Sequence, residues 1–236
     1  MESTVYLRVN RVNPTVCERA RDVSVSDLHE AYYAAGGNGL MSSEMRPRQA
    51  GARIVGPAVT AWCAPGDNLM MHRALYLANP GDVLVVVCSC PTSGAQWGDV
   101  ATRYALKKGL AGVVVHGPVR DTDTVEALGF PVWSTHVRSI HPDKCGHGSV
   151  NAPVICDGVS VIPGDLVMAD GDGVVCVAKA LAADVVEAAL ERMRREDDAL
   201  AAIAAGTSVW ELSGAAASYG SMNITELDRA CDDEAS

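Results

Sequence analysis

The chain has 236 residues, a formal net charge of −10 at pH 7 and 48% hydrophobic residues. No Pro-, Gly- or Ser-rich linker divides it, so this length predicts one domain with a helical tail. The negative charge argues against nucleic acid or an anionic membrane as partner. Neither a membrane-length apolar run nor a signal-peptide core is present, so we expect a cytoplasmic protein.

The eight cysteines are spread along the chain and include no CxxC pair. Four of them (Cys63, Cys88, Cys156 and Cys176) lie within apolar runs, where a free cysteine behaves as a small hydrophobic residue. Without a secretory signal, we do not expect a disulfide framework.

The N-terminal half predicts two helices and two strands. Ser24 to Asp27 matches a capping box, which predicts a helix over residues 28–35. Residues 52–64 are rich in β-formers and contain a kink at Gly56-Pro57. Residues 69–78 predict a second helix. Residues 83–88, VLVVVC, are apolar on both faces and predict a central strand.

The middle of the chain predicts a helix, a strand and a functional turn. A helix from Gly98-Asp99 to Lys108 is closed by Gly109, and residues 111–115 form a buried strand. Arg120 and Asp121 follow this strand, where open α/β sheets tend to bind their ligands. Arginine offers a planar fork for a carboxylate, and aspartate offers a hard oxygen for Mg²⁺.

The remaining elements are a short helix, a meander and a long helix. Asp123-x-x-Glu126 resembles a capping box, which would leave Asp121 free of that role. A strand over 130–134 and a loop over 135–152 precede hairpins over 153–177. Residues 178–205 predict one long helix closed by Gly206. Residues 207–236 have a weak pattern and an acidic end, and no element is assigned to them.

Eight motifs occur in order along the chain: MRPRQAGARIVGPAVT (45–60), PGDNLMMH (65–72), PGDVLVV (80–86), GDVA (98–101), GVVVHGPVRD (112–121), GFPVWS (129–134), GSVNAPV (148–154) and VIPGDLVMADGDGVVCV (161–177). Together they resemble the family of class II 4-hydroxy-4-methyl-2-oxoglutarate and 4-carboxy-4-hydroxy-2-oxoadipate aldolases. That family also contains the ribonuclease E inhibitor proteins. The resemblance covers residues 5–206 and is closest to the carboxy-hydroxy-oxoadipate branch.

The resemblance implies an α/β fold, an αββα sandwich of the swivelling β/β/α type with a long C-terminal helix. The family domain would span residues 1–206, followed by an extension over 207–236. Family members form homotrimers, or hexamers of two trimers, with active sites between subunits. The implied reaction is retro-aldol cleavage of a 4-hydroxy-2-oxo acid to pyruvate and a second oxo acid, dependent on Mg²⁺ or Mn²⁺. Decarboxylation of oxaloacetate is the usual side activity.

The resemblance also implies the site residues. The functional Arg-Asp pair corresponds to Arg120 and Asp121, and the Gly-(Asp/Glu)-Leu loop corresponds to Gly98, Asp99 and Val100. An acidic residue from the long helix of a neighbouring subunit completes the metal site. Glu196 is the best match for it, with three alternatives on the same helix: Glu191, Asp197 and Asp198.

The residue chemistry is consistent with this implication. Retro-aldol cleavage needs an electron sink, either a lysine Schiff base or a metal on the 2-oxo acid. None of the four lysines (Lys107, Lys108, Lys144 and Lys179) lies within an apolar strand, where desolvation depresses the pKa of a lysine. The metal route is therefore favoured.

In this hypothesis Asp121 anchors the metal, directly or through water, while Asp99 and Glu196 hold its waters. Arg120 neutralises the enolate charge. Backbone N–H groups from Gly98 to Ala101, at a helix start, bind the substrate carboxylate.

Simpler structural roles compete with these assignments. From local sequence alone, Asp99 is favoured as a helix N-cap. Arg120–Asp121 has the alternative of a solvated turn pair, and Glu196 that of an ordinary surface charge. His72 is favoured as a helix-packing residue. A loop cluster suggests zinc, but its spacing matches no common zinc pattern: His136, His141, Cys145 and His147.

The chain departs from the family pattern in three places. His116 stands where the family usually has Asp, the loop after Asp99 reads VATRYA, and the segment WELSGAAASYGSMN diverges from the usual ending. These departures leave open a specialised paralogue that acts on another oxo acid in secondary metabolism. A rival class is a non-catalytic protein-binding trimer, like the ribonuclease E inhibitors. A methyltransferase is disfavoured, because no Gly-rich strand–helix turn with a ribose-binding acid is present.

Overall fold

A computed structural model describes residues 3–88, 90 and 93–231. Residues 232–236 of the predicted extension therefore lie outside the described part. Its strands are β1 (Thr4–Val5), β2 (Arg46–Pro47), β3 (Ile54–Cys63), β4 (Val83–Cys88), β5 (Gly112–Val119), β6 (Val132–Val137), β7 (Gly148–Val150), β8 (Val154–Cys156), β9 (Val159–Val161), β10 (Leu166–Asp170) and β11 (Gly173–Val177). Its helices are α1 (Pro14–Ala20), α2 (Val25–Ala34), α3 (Leu69–Leu77), α4 (Asp99–Lys108), α5 (Thr122–Ala127), α6 (Ala182–Ala204), α7 (Val209–Leu212) and α8 (Ala215–Gly220).

The main sheet is built on four parallel strands in the order β3-β4-β5-β6. Its edges are antiparallel, because β7 pairs with β3 and β2 pairs with β6. Strand β4 lies inside this sheet and all six of its residues are buried, which confirms the prediction of a central strand. The carboxyl ends of β3, β4 and β5 therefore meet along one edge of the sheet.

The predicted kink in β3 is the point where the strand changes partners. Residues up to Pro57 pair antiparallel with β10, and residues from Ala58 onward pair parallel with β4. A β-carbon on Gly56 would lie 2.2 Å from the carbonyl oxygen of Gly81, so only glycine fits there. One long strand thus belongs to two sheets.

Two apolar cores form a layered sandwich. On one face of the main sheet, α3, α4 and α5 pack through Met71, Leu75, Ala105 and Val125. On the other face, the hairpins β8–β9 and β10–β11 pack against the sheet, and α2 packs on the second hairpin. The order helix, sheet, β-layer, helix agrees with the αββα sandwich that the resemblance implies.

The long C-terminal helix is present but begins later than predicted. It starts at Ala182, since Lys179 N donates to the buried Asp165 carboxylate and Lys179 Nζ donates to Pro163 O. These bonds hold the chain in an irregular turn. The loop predicted over 135–152 is shorter, because β6 continues to Val137 and β7 begins at Gly148.

The chain divides into two compact units, Met1–Arg192 and Met193–Ser236. The division lies inside α6, whereas the sequence predicts that the family domain extends to residue 206. Within the described part of the second unit, α7 begins with a capping box between Ser208 and Glu211. There Trp210 packs edge-on against Tyr219, with ring centroids 5.3 Å apart.

The four cysteines of the apolar runs are buried, as predicted. Burial raises the pKa of the Cys63 thiol to about 12. No helix among the described residues is long and apolar enough to cross a membrane.

Candidate active site

The site forms where the chain entering α4 lies beside the end of β5. Gln96 N donates to Pro118 O at 2.7 Å, and Arg120 N donates to Trp97 O at 3.0 Å. These two bonds extend the sheet by a short parallel bridge between Trp97 and Val119. They place the start of α4 next to Arg120 and Asp121.

Trp97 anchors this arrangement in the core. Its ring is buried and stacks on Phe130, with centroids 6.0 Å apart. Its Nε1 donates to Thr102 Oγ1 at 2.8 Å, and that hydroxyl donates to Gly98 O at 3.0 Å. A buried aromatic residue with a satisfied N–H thus fixes the first turn of α4.

Asp121, rather than Asp123, occupies the N-cap position of α5, so the predicted cap was wrong. Asp121 has φ 57° and ψ 35°, and its side chain makes no capping bond. Aspartate tolerates this left-handed conformation better than most residues, and such positions are enriched at functional sites. Its carboxylate is therefore still free of a capping role, although for a different reason than the sequence suggested.

The Asp121 carboxylate joins Arg120 to the start of α4. Its Oδ2 accepts from Arg120 Nε at 3.2 Å and from Asp99 N at 3.4 Å. Both side chains of the Arg120–Asp121 pair are about one-third exposed, at 34% each. The pair therefore lies in a half-buried recess instead of on a fully solvated turn.

Gly98, not Asp99, is the N-cap of α4, which corrects the role favoured for Asp99 from local sequence. Its φ of −166° is accessible to any residue. The requirement for glycine is close approach, because a β-carbon would lie 2.6 Å from Asp121 Oδ2. Asp99 is the first helical residue, and its carboxylate lies 3.6 Å from Arg103 Nε in an i,i+4 pair.

A cleft of about 200 Å³ opens at this edge. The predicted residues Gly98, Asp99, Val100, Ala101, Arg120 and Asp121 all line it. The N-terminus of α4 therefore faces the same recess as the guanidinium of Arg120, and the first N–H groups of a helix have no partners within the helix. The cleft presents donors for an anion beside two carboxylates.

Sequence reasoning missed polar residues on the other walls of the cleft: Asn68, His72, Gln96, His141 and Lys144. His72 is half-buried, and burial, with the charge of Lys144, lowers its pKa despite an opposing effect of Asp67. The available signal was the motif PGDNLMMH, which contains both Asn68 and His72.

Buried Asp67 holds the loop that carries His141 and Lys144. Its Oδ2 accepts from Cys145 N at 2.6 Å and from Gly146 N at 2.7 Å. Its Oδ1 accepts from Leu69 N at 2.8 Å at the start of α3. One carboxylate thus ties two walls of the cleft together.

His116 connects β5 to the β8–β9 turn. Its Nδ1 accepts from Asp157 N at 3.0 Å, and the Asp157 carboxylate accepts from Ser42 N and Ser42 Oγ, both at 2.8 Å. Because Nδ1 accepts this hydrogen bond, the proton of the neutral ring is on Nε2. The departure from the family pattern at this position therefore has a structural role four residues before Arg120.

The carboxylates of the cleft fit a hard divalent cation. Asp99 and Asp121 both line the cleft, and Mg²⁺ keeps several waters and takes one or two direct carboxylates. Among the described residues, no three His, Cys, Asp or Glu side chains converge as a metal-holding group, including the cluster of His136, His141, Cys145 and His147. Glu196 lies on α6 in the second unit.

A sequence profile of the RraA-like family, described as Aldolase/RraA, matches residues 25–176. The chain belongs to the RraA-like family. The matched residues include the whole cleft, from Asn68 to Lys144. Family membership therefore rests on the same part of the chain as the site.

Relatives and solved structures agree with this assignment. A Halalkalibacterium halodurans protein named "Putative 4-hydroxy-4-methyl-2-oxoglutarate aldolase" is 36% identical over 159 residues, covering 67% of this chain and 75% of that protein. The structure of Streptomyces coelicolor RraAS2, described as an unusual member of the RNase ES inhibitor RraA protein family, superposes with a TM-score of 0.73 at 30% identity. It covers 81% of this chain and 98% of that one. A structure from Pseudomonas syringae superposes with a TM-score of 0.79 at 28% identity. It covers 86% of this chain and 95% of that one. These relatives include both aldolase-named and inhibitor-named proteins.

Proposed function

We propose that the protein is a divalent-metal-dependent carbon–carbon lyase. It cleaves a 4-hydroxy-2-oxo acid, such as 4-carboxy-4-hydroxy-2-oxoadipate, to pyruvate and a second oxo acid, and it decarboxylates oxaloacetate as a side activity. The observation that supports this most is the meeting of Arg120, Asp121 and the N-terminus of α4 at one recess. This set offers cationic, acidic and N–H groups together, as an enolate-forming reaction needs.

The position of the lysines favours a metal over a Schiff base as the electron sink. Lys144 lines the cleft, but it lies exposed on a loop. Lys144 therefore lacks the burial in an apolar pocket that activates a lysine for Schiff-base chemistry. Lys108 is committed elsewhere, because its Nζ donates to Leu75 O and Tyr76 O at the end of α3.

Asp121 would hold Mg²⁺ or Mn²⁺, with Asp99 orienting the waters of the ion. Glu196 of a neighbouring subunit would complete the site in a homotrimer or hexamer, with Glu191, Asp197 and Asp198 as alternatives. The bound ion supplies the electron sink for the 2-oxo acid. The αL backbone of Asp121 directs its carboxylate toward Asp99 N instead of toward its own helix.

Arg120 and the start of α4 would bind the pyruvyl part of the substrate. The Arg120 guanidinium, held beside Asp121, stabilises the oxygen on which negative charge develops. The N–H groups of Val100 and Ala101 receive the C1 carboxylate at the positive end of α4. Trp97 and Phe130 exclude water from beneath this turn.

A second candidate is a non-catalytic protein-binding trimer. It is supported by the 30% identity to Streptomyces coelicolor RraAS2. Asp99 and Asp121 together in the cleft favour the enzyme, since a purely protein-binding role gives no reason for two acids beside an arginine in a recess. A specialised paralogue acting on another oxo acid is consistent with the same geometry.

The two functions are separated by an assay of pyruvate release. Purified protein is incubated with oxaloacetate and with 4-carboxy-4-hydroxy-2-oxoadipate, in Mg²⁺ and in EDTA. We expect metal-dependent pyruvate from both, and a loss of about 10²–10³-fold in the rate for Arg120→Ala. Arg73→Ala, on the exposed surface of α3, is the matched control and should keep full activity.

Absence of pyruvate under all conditions, combined with absence of Mg²⁺ binding, would overturn the lyase proposal. Binding to ribonuclease E under those conditions would then support the second candidate. Pyruvate release that EDTA leaves unchanged would contradict the metal route.

A further inference from the structure

Two buried amide side chains on the wall of the cleft carry unpaired oxygen atoms. Asn68 is 6% exposed and Gln96 is fully buried. Asn68 Oδ1 and Gln96 Oε1 have no hydrogen-bond partner among the described residues. A buried polar atom without a partner destabilises the protein, so a group that enters the cleft and satisfies it binds more tightly.

The orientation of the Gln96 amide is fixed, which shows that its unpaired atom is the acceptor oxygen. Gln96 Nε2 donates to Gly94 O at 3.0 Å. A carbonyl oxygen only accepts, so the nitrogen must be on that side and Oε1 must be the unpaired atom. Within the described part of the chain, no comparable side-chain bond fixes the amide of Asn68. Gln96 therefore offers a hydrogen-bond acceptor with a defined position.

The Gln96 backbone keeps this acceptor beside the reacting groups. Its N–H donates to Pro118 O, two residues before Arg120, and its Cγ would lie 3.5 Å from a β-carbon on Gly117. The side chain is therefore held at the carboxyl end of β5, on the cleft that Arg120 and Asp121 line.

A 4-hydroxy-2-oxo acid has one kind of donor for such an acceptor. Its carboxylates are ionised near neutral pH and accept only, and its C2 ketone also accepts only. The C4 hydroxyl is the remaining polar group, and it carries a proton to donate. In retro-aldol cleavage this hydroxyl gives its proton to a base, and the O–H electron pair forms the carbonyl of the second oxo acid. The electron pair of the broken C3–C4 bond passes to the enolate of pyruvate.

We infer that Gln96 is the specificity residue for the C4 hydroxyl, which its Oε1 accepts as a hydrogen bond at the cleft wall. This inference rests on the proposed function for the identity of the substrate. An amide is not basic, so Gln96 orients the hydroxyl and does not remove its proton. Substrates without the hydroxyl, such as oxaloacetate, do not use this contact.

The test separates this contact from turnover by using ligands that cannot be cleaved. In 2,4-dihydroxyglutarate and 2-hydroxyglutarate the C2 ketone is reduced, which removes the electron sink, and the two compounds differ only in the C4 hydroxyl. Their dissociation constants are measured by calorimetry in Mg²⁺ for the wild type, Gln96→Met, Asn68→Ala and Gln49→Met. Gln49 is the matched control, because its Oε1 is also buried and unpaired and its Nε2 donates to Phe130 O, away from the cleft.

We expect the wild type and Gln49→Met to bind the dihydroxy compound about 10-fold or more tighter than the monohydroxy compound. In Gln96→Met the ratio of the two dissociation constants should fall to about 1. Thermal unfolding should show that the variant is folded. An unchanged preference in Gln96→Met, or its loss in Asn68→Ala alone, would overturn the inference.

The pyruvate assay distinguishes failure of this inference from failure of the proposed function. Gln96→Met should lower kcat/KM for the hydroxylated substrate about 10–100-fold and leave oxaloacetate decarboxylation within about 3-fold. Equal losses on both substrates mean a structural role and contradict the inference while the lyase stands. If the protein releases no pyruvate but its preference for the hydroxylated ligand depends on Gln96, the inference is supported and the lyase proposal is contradicted.

Discussion

The two compact units differ in how their residues are held. In the first unit, Trp97 is buried and hydrogen-bonded, and every wall of the cleft is tied to the sheet or to a buried carboxylate. In the second unit, no residue described between Met193 and Cys231 is buried. The first unit thus holds its site through its own core, whereas the second has no such core. This difference predicts where substitutions will matter.

The largest effect should come from the tryptophan beneath the site. Trp97→Ala removes a fully buried ring and a satisfied N–H, so we expect a loss of about 3–5 kcal/mol in the free energy of unfolding. Trp210→Ala removes a half-exposed ring that packs on Tyr219, and we expect a loss of about 1 kcal/mol or less. Urea unfolding of both variants measures the contrast. Equal losses would show that the second unit has a core of its own.

A smaller, local effect is expected at Gly98. In Gly98→Ala the backbone is unstrained, but the new methyl group meets Asp121 Oδ2 and must displace it. We expect a loss of about 1–3 kcal/mol in stability together with lower pyruvate release. Gly171→Ala is the control, because its β-carbon would meet no atom within 4 Å. A Gly98→Ala variant with wild-type activity would mean that the carboxylate position is not critical.

Removing the second unit should have a still smaller effect on stability. A chain that ends at Arg192 keeps the buried residues of α6, from Ala182 to Ala189. We expect its free energy of unfolding to change by less than about 1 kcal/mol, since no described residue of the removed segment is itself buried. Its metal-dependent turnover should fall if Glu196 completes the site of a neighbour. The loss of a cooperative unfolding transition would contradict this expectation.

The smallest effect is a pH dependence at His72. The folded protein lowers the pKa of His72 below its ordinary value of 6.5. The unfolded chain therefore binds this proton at a higher pH, and the free energy of unfolding rises with pH through that window. Acidification from pH 7 to 5 should destabilise the wild type more than His72→Gln, as measured by urea unfolding at each pH. Parallel pH profiles would show that the half-buried imidazole is not desolvated.

The sequence predicted most of the fold, because its signals are local. Strand β4 is apolar on both faces, and α4 ends at Gly109, whose φ of 74° is the left-handed cap that glycine favours. The cap positions of α4 and α5 were wrong by one or two residues. Asp99 and Asp123 both have side chains that commonly cap helix N-termini. Local sequence does not show that Gly98 and Asp121 are fixed by contacts across the fold.

Motif resemblance predicted Arg120, Asp121 and the start of α4. It did not predict the residues on the other walls of the cleft. Asp99 and Asp121 are 22 residues apart and meet only because the chain at Trp97 pairs with Val119. Gln96 and Lys144 belong to no periodic pattern, so only the folded chain shows that both line the cleft. The position of Glu196 against a cleft remains a prediction from resemblance.

The most direct test of the central claim compares two aspartates at the start of α5. Asp121→Asn keeps the size of a side chain that faces Asp99, and Asp123→Asn makes the same change two residues later. Pyruvate release is followed for both variants as the Mg²⁺ concentration is raised, with thermal melts to confirm folding. We predict that Asp121→Asn loses at least about 10²-fold in rate, whereas Asp123→Asn retains wild-type turnover and metal dependence. Equal turnover in the two variants would contradict the assignment of Asp121 as the metal anchor.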